Sequence, residues 1–522
     1  MRLLHYLPVE DIFPTWSNIA VALAAIGVAT LLMRAIYNLY LHPLAKFPGP
    51  WYACSFSVVL ATISVLRMEP QFLSYLVKIY GFEKPIRVTP TILMFPRPSA
   101  LKEIYWDPQC NTKSRLYGSG ALGPPHLFTT LESDAHRQLR RALSNAPWTI
   151  GKLRLAWEKR FDELVELFMT KMHEHAAAGR VVSLSEKVSE FAADIMTIMT
   201  FNEPFGFVQN QRDERDLLGS WRRNVNLFAF AGRARFFREV ILTSPLGPWI
   251  LPSIRSESGI GWMLNEADRQ VTAREKATAQ GLYPHSPDFM QHALEARLPS
   301  GEPLSAAQRR AHVVLLIQAG ADTTGTTMGS ALRFLLQHPE AWARCRAEID
   351  AVEQQGLLSH PIQYEETRQH LPFLVACLKE TMRLNPSATN LFARVCPPGG
   401  KIINGHHIPA GTEMACHAYT LQRSVEVYGS DANEFRPERW LESAQRTREL
   451  EAAQFTFSVG PRTCLGKDVA TLEMWKLIPE IIRQFDIEFI DPGKYVVVGG
   501  IVWNEGLMGR FVARRNGKGR QG

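Results

Sequence analysis

The sequence predicts a mainly α-helical protein with small β-sheets, preceded by one N-terminal transmembrane helix. Three observations carry this. An uncharged apolar stretch runs from Ile12 to Met33. A helical pattern of unusual length begins at Ser305 and stops at Pro339. Short segments that alternate or turn at glycine, Arg87–Phe95 and Ile402–Met414, interrupt an otherwise helical chain.

The bulk properties narrow the function classes. Over 522 residues, 46% are hydrophobic and 21% charged, as in ordinary globular proteins. The seven cysteines form no C-x-x-C pair and are odd in number, which argues against a disulfide framework or a zinc ribbon. Such usage suits a reducing compartment. The net charge of +7 is spread thinly, with only the short basic tail Arg514–Arg520, so nucleic acid is not the expected partner. The excess fits either a solvated basic surface or a docking face for an acidic partner or an anionic membrane.

As a helix, Ile12–Met33 spans about 33 Å, enough to cross a bilayer core. Glu10 and Asp11 precede it and Arg34 follows. A cleaved signal would begin with basic residues. The cation on the far side favours an anchor with a cytosolic body over a signal peptide or a buried helix. Three prolines and a glycine in His42–Pro50 then stop the helix and stiffen the chain. The expected organisation is an anchor at 1–35, a proline-rich hinge at 36–50 and a body at 51–522.

Within the body, Arg87–Phe95 reads as a strand. Leu153–Met199 is helical in pieces, one of them ending at Gly179. Residues 216–258 mix aromatics, arginines and prolines, and are expected to form two helices joined by a mobile apolar loop. Ser305 and Gln308 make a capping box. The helix they open runs to His338, roughly 48 Å, and its apolar centre predicts burial on most faces. Ile402–Met414 reads as a hairpin turning at Asn404–Gly405. His406 and His407 adjoin in a strand and face opposite ways, which argues against a shared metal.

The chemistry concentrates in four places. In Phe457–Lys467, FSVGPRTCLGK, Gly460 permits a sharp turn and Gly466 lets the backbone pass close to something flat or bulky. Cys464 precedes a helix whose N-terminus stabilises a thiolate, and Arg462 adds positive charge. These features suit a nucleophile or a metal ligand; spacing alone does not exclude a distant histidine base. Phe457, Gly460, Arg462, Cys464 and Gly466 resemble the F-x-x-G-x-R-x-C-x-G haem-binding signature of the cytochromes P-450. The resemblance implies the cytochrome P-450 fold for the body and a haem b whose iron is ligated axially by Cys464.

The second place is AGADTT, Ala319–Thr324, in the middle of the long helix. Gly, Asp and Thr are poor choices for a buried helix interior. Gly320 opens space, and a threonine hydroxyl can bond back to the helix and bend it, so the stretch reads as a polar notch. It resembles the family's oxygen-activating motif, which implies that Asp322 and Thr323 deliver protons to dioxygen. Third, Glu380 and Arg383 lie at i and i+3. With Arg439 downstream they resemble the family's buried structural triad. Fourth, His136 and Arg140 share a helical face and resemble the family's W-x-x-x-R pair, with His in place of Trp. Arg394 resembles a further arginine of the family, and the three are expected to hold the haem propionates.

The resemblance covers nearly the whole chain and is strongest to membrane-bound members from filamentous fungi. It implies a monooxygenase that inserts one atom of O2 into a hydrophobic small molecule, by hydroxylation, epoxidation or desaturation, in secondary-metabolite biosynthesis. Electrons would come from a separate NADPH-dependent reductase docking near Lys467 and Arg462. The anchor would place the protein in the endoplasmic reticulum with the catalytic body in the cytosol. Arg115–Leu122, Asn226–Gly232, Ser387–Phe392 and Gly500–Gly506 are the expected substrate-contact segments. A haem-thiolate isomerase or dehydratase, or a haem sensor, would not need the AGADTT notch.

Overall fold

The long helix occupies Ala306–Gln337. Its capping box is formed as expected: the Gln308 N–H donates to Ser305 Oγ at 3.2 Å, and the Ser305 N–H donates to Gln308 Oε1 at 3.0 Å. Pro339 begins the next helix, Pro339–Gln354. A glycine seam sets the depth of this central helix. A Cβ at Gly320 would lie 2.3 Å from Met196 Sδ, one at Gly325 2.5 Å from Ser189 Cα, and one at Gly329 3.2 Å from Ser185 Cβ. Numbers rise along one helix as they fall along the other, so Leu184–Phe201 packs antiparallel with its backbone close. At Gly325, where a Cβ would strike the Ser189 backbone, only glycine allows that approach. The space expected at Gly320 is therefore filled by Met196.

This is a computed structural model, and it describes residues 12–117, 125–144, 148–234, 236–250, 256–283 and 288–514. The basic tail beyond Arg514, the acidic pair Glu10 and Asp11, and residues 118–122 of the first expected substrate segment lie outside those residues. The main core gathers the central helix with Ile150–Ala177, Leu184–Phe201, Pro372–Leu384 and Lys467–Gln484, around Trp157, Phe161, Phe191, Leu332 and Ile478.

Three small sheets flank the helices. The strands are β1 (Ile86–Arg87), β2 (Ile92–Met94), β3 (Val181–Ser183), β4 (Arg394–Val395), β5 (Lys401–Ile403), β6 (His406–Ile408), β7 (Glu413–Ala415), β8 (Phe485–Val498) and β9 (Ile501–Ala513). They are ordered β1-β2-β7-β4, β3-β9-β8 and β5-β6. The expected strand Arg87–Phe95 is in fact the antiparallel pair β1 and β2, because Thr89 Oγ1 accepts from the Thr91 and Ile92 N–H groups and turns the chain at Pro90. The β5–β6 hairpin turns at Asn404 and Gly405, both with positive φ. Residues 216–250 also depart from expectation. One helix, Leu217–Arg233, is followed by a π-helical turn at Phe237–Ile241 and a short helix at Gly247–Ile250, with the next helix starting at Gly259.

The N-terminal helix Ile12–Ile36 continues into a π turn at Tyr37–Leu41. Trp16–Leu41 has a mean hydropathy of 2.2 and no residue of its most apolar window buried in the protein, so it is long and apolar enough to cross a membrane. The segment behind it is docked onto the body. Leu44 and Phe47 are core residues. Arg87 donates to the Asn38 carbonyl at 2.7 Å and its own N–H to the Pro48 carbonyl at 2.7 Å.

The Glu380–Arg383–Arg439 triad is present and fully buried. Glu380 accepts from Arg383 at 2.8 Å, Arg439 at 3.0 Å, Trp440 Nε1 at 2.9 Å and the Arg436 N–H at 3.1 Å. The arginines' remaining donors reach the carbonyls of Gln422, Ala432, Tyr428 and Asp431. Charges this deep are tolerated because both carboxylate oxygens and nearly all of the guanidinium protons have partners. Gln422 extends the network to the cysteine loop. Its amide donates to the Arg383 carbonyl at 2.8 Å, and its Oε1 accepts from the Phe455 N–H at 2.7 Å and Thr456 Oγ1 at 3.0 Å. Glu380→Ala is therefore expected to cost about 3–5 kcal/mol, since it strands the buried Arg383 guanidinium and leaves Arg439 only Asp431. Urea unfolding of the purified protein measures it, and a loss under about 1 kcal/mol would contradict the triad's structural role.

Candidate active site

The cysteine loop is fixed by its own backbone. Gly460 takes φ +74°, and a Cβ there would lie 2.0 Å from the Tyr105 carbonyl oxygen, so only glycine fits the turn Gly460–Arg462. The Cys464 N–H donates to the Phe457 carbonyl at 2.9 Å, closing the loop. Phe457 packs against the main core. The helix Lys467–Gln484 follows, its first turn tied down by the Ile150 N–H donating to Asp468 at 2.9 Å.

Six cysteines are buried and Cys464 is exposed. The protein nonetheless surrounds it, and burial pushes its thiol up against the pull of the Gly466 N–H, Arg140 and Lys467. A Cβ at Gly466 would meet no atom within 4 Å, so the glycine clears room for something other than this chain.

The expected cations gather here. His136 and Arg140 lie on the helix Ser133–Ser144, and Arg140 donates to the Thr463 carbonyl at 2.7 Å, next to the cysteine. Arg394, on β4, is buried, bonds the Phe392 carbonyl at 2.9 Å and lies over the Tyr105 ring. Arg462 differs from the reading that made it a docking residue. It is buried and donates to the carbonyls of Asn111, Thr130 and Leu131, each at 2.8 Å. Those carbonyls hold the loop to the segment before the His136 helix. Lys467 remains exposed.

Sequence reasoning missed a fifth cation, Lys113. It is buried in the same cluster, and burial with the charges of Arg394 and Arg462 pushes its ammonium well down. Nothing in its local sequence marks it, because its position follows from a bridge to Arg394 far along the chain. Burial and Arg394 push Arg462 down to about 9. Burial, then Arg462 and Lys113, push His136 down to about 3. Among the described residues none of Lys113, Arg140, Arg394 and Arg462 forms an ion pair. Buried, unanswered positive charge beside a thiol suits a planar cofactor bearing two carboxylates, and haem fits that description.

On the central helix, Thr323 Oγ1 donates to the Ala319 carbonyl at 2.6 Å and Thr327 Oγ1 to the Thr323 carbonyl at 2.9 Å. These are the back-bonds that a helical threonine can make; Thr327 is buried and Thr323 half-buried. Asp322 is buried and turned toward Arg222 of the helix Leu217–Arg233, whose Nε and Nη2 donate to Oδ1 at 3.0 and 2.8 Å. Its Oδ2 has no partner. Arg222 was not legible as a partner, since the two residues lie far apart in sequence.

The expected substrate segments meet. A Cβ at Gly232 would lie 3.3 Å from the Leu116 carbonyl oxygen, one at Gly499 2.7 Å from Ala229 Cβ, and one at Gly500 2.4 Å from Asn390 Cα. The Thr389 N–H donates to the Gly500 carbonyl at 2.8 Å. A separate surface cleft of about 510 Å3, between Phe205 and Trp262, contains none of these residues and none of the motifs.

Comparison with known proteins gives a consistent result. The family model described as Cytochrome P450 matches residues 91–496. Quiannulatic acid synthase of Emericella variicolor is 27% identical over 478 residues, covering 90% of this chain and 92% of that protein. Cytochrome P450 monooxygenase cicH of Emericella nidulans is 28% identical over 459 residues, covering 86% and 90%. A cytochrome P450 crystal structure, CYP102L1, superposes with a TM-score of 0.70 over 85% of this chain and 94% of that one, at 20% identity. That likeness speaks for the fold. The chain belongs to the cytochrome P450 family, whose members bind haem through a cysteine thiolate and use dioxygen and a redox partner.

Proposed function

We propose that this protein is a membrane-anchored haem-thiolate monooxygenase that places one oxygen atom of O2 on a hydrophobic small molecule of secondary metabolism. The observation that carries the reading is the cysteine loop: an accessible Cys464, a side-chain-free Gly466 and a group of cations that have no carboxylate partner among the described residues. Cys464 holds the iron, Arg140 and Arg394 neutralise the cofactor's carboxylates, the neutral His136 offers them a ring N–H, and Arg462 adds charge while fixing the loop. Haem supplies the dioxygen activation and the oxidising chemistry. The fungal relatives, one of them named an acid synthase, support a small organic substrate.

The chain's own residues do the rest. Thr323 donates its hydroxyl proton to Ala319, which leaves its oxygen lone pairs to accept a hydrogen bond from the reacting side. Asp322 keeps one oxygen unpartnered while Arg222 holds the other. Together they make a proton path through a helix that otherwise excludes water. The four converging segments supply apolar contacts that orient the substrate. Residues 1–35 anchor the protein, residues 36–50 set the pose of the body 51–522, and the body faces the cytosol on the endoplasmic reticulum. A separate NADPH-dependent reductase supplies electrons and docks near the exposed Lys467.

With that reductase, NADPH and candidate substrates, oxygen-18 gas should label the product; a product formed without oxygen uptake would favour an isomerase or dehydratase. Thr323→Ala should lower product formation on the order of 100-fold while NADPH consumption continues and hydrogen peroxide accumulates. Unchanged product yield per NADPH would remove Thr323 from the path. Asp322→Asn should also destabilise the fold by about 1–3 kcal/mol, because it removes the counter-charge of the half-buried Arg222. The double variant Arg222→Met/Asp322→Asn should recover most of that loss in urea unfolding.

A further inference from the structure

We propose that His312 is a positioning residue for the substrate site: through the Leu127 N–H it latches the turn His126–Thr130 onto the central helix. The inference rests on the haem-thiolate reading and deepens it.

The latch is one imidazole with both nitrogens engaged. His312 lies near the start of the central helix and is buried. Its Nδ1 stands 2.6 Å from the Gln308 carbonyl, one helical turn back. A carbonyl only accepts, so Nδ1 carries the proton. The Leu127 N–H reaches Nε2 at 3.0 Å, and an amide N–H only donates, so Nε2 presents its lone pair. The two contacts together select one neutral tautomer. Burial favours the same state, pushing the imidazole down against the pull of the Gln308 carbonyl. The ring that faces it from the turn, His126, lies 6.5 Å away between centroids and is pushed down to about 3 by burial, His312 and Lys113.

The turn depends on that acceptor. Leu127 is buried, and among the described residues its N–H donates to His312 alone. Its neighbours are closed on themselves. The Thr129 and Thr130 N–H groups donate to the His126 carbonyl at 3.0 and 2.9 Å, and the His126 N–H donates to Thr129 Oγ1 at 3.1 Å. The turn is therefore a compact unit, and His312 is its hydrogen-bonded tie to the central helix. A buried amide stripped of its acceptor is strongly disfavoured, so a side chain of equal bulk without a lone pair would not hold it.

The position of the turn matters because of what it borders. Leu127 shares an apolar cluster with Leu315 of the central helix and Leu465, the neighbour of Cys464. Phe128 leaves 43% of its surface exposed and meets the Tyr117 ring edge-on, with centroids 5.4 Å apart. Tyr117 belongs to the first expected substrate segment. The turn thus carries an exposed aromatic ring beside that segment, the cysteine loop and the helix of Thr323. Releasing Leu127 lets the ring shift against all three.

The test uses the full-length haem-loaded protein. It reads amide hydrogen exchange at Leu127 by mass spectrometry, and the binding of bulky clotrimazole and of small imidazole from the Soret band. His312→Leu keeps the bulk and removes the acceptor. It should speed Leu127 exchange and weaken clotrimazole binding by about tenfold each, with imidazole binding unchanged. His312→Gln, whose side-chain oxygen can stand in for Nε2, should stay close to wild type in all three. Wild-type exchange at Leu127 in His312→Leu would overturn the proposal. So would faster exchange with unchanged clotrimazole binding, or an equal loss of both probes. If His312→Leu does not fold, His312→Asn decides, because its side chain falls short of Leu127: faster exchange with selective loss of clotrimazole supports the latch, and wild-type values overturn it. A wild-type protein that takes up no haem would overturn this proposal and the haem-thiolate reading together; haem-loaded variants with wild-type exchange would overturn this one alone.

Discussion

Positive charge buried around one thiol is the constraint that organises this molecule. Lys113, Arg140, Arg394 and Arg462 converge on the loop that carries Cys464, and none forms an ion pair among the described residues. Charge in that setting is costly unless something neutralises it. A thiolate bound to iron and two carboxylates on the same flat molecule provide that neutralisation. The fold's other features hold these cations in position against their mutual repulsion. Arg462 pins the loop to three carbonyls. Beneath it, Gln422 couples the loop's first residues to the buried carboxylate and two arginines.

The central helix meets a different demand. It must pass close to the reacting centre while remaining sealed from water. The glycine seam at 320, 325 and 329 draws it against Leu184–Phe201. The back-bond of the buried Thr327 satisfies a hydroxyl that would otherwise be stranded in an apolar wall. Arg222 then ties Asp322 to the helix Leu217–Arg233, and the end of that helix meets the substrate segments at Ala229 and Gly232. On the proposed function, the proton-handling side of the site and the substrate segments would be joined through that one ion pair.

Much of this was legible in the sequence, for physical reasons that differ by element. The central helix could be read to its ends because a capping box and a proline are local signals. The cysteine loop could be read because its turn tolerates only glycine at 460. The triad could be read only through family resemblance, since a glutamate and an arginine three residues apart decorate many surface helices. What escaped is non-local. Lys113 acquires meaning from Arg394, Asp322 from Arg222, and the hinge from Arg87, and no spacing rule links such pairs. Two expectations also failed locally. Thr89 and Pro90 break one apparent strand into two, and Met196 occupies the room that Gly320 leaves.

The central claim is that the Cys464 sulfur binds haem iron as a thiolate. It is tested most directly by the absorption spectrum of the reduced, carbon monoxide-treated protein, wild type against Cys464→Ser. The account predicts a strongly red-shifted Soret band in the wild type, abolished or returned to the position typical of non-thiolate haem in the variant. A wild type that copurifies without haem and cannot be loaded, or a red-shifted band that survives the serine substitution, would contradict it.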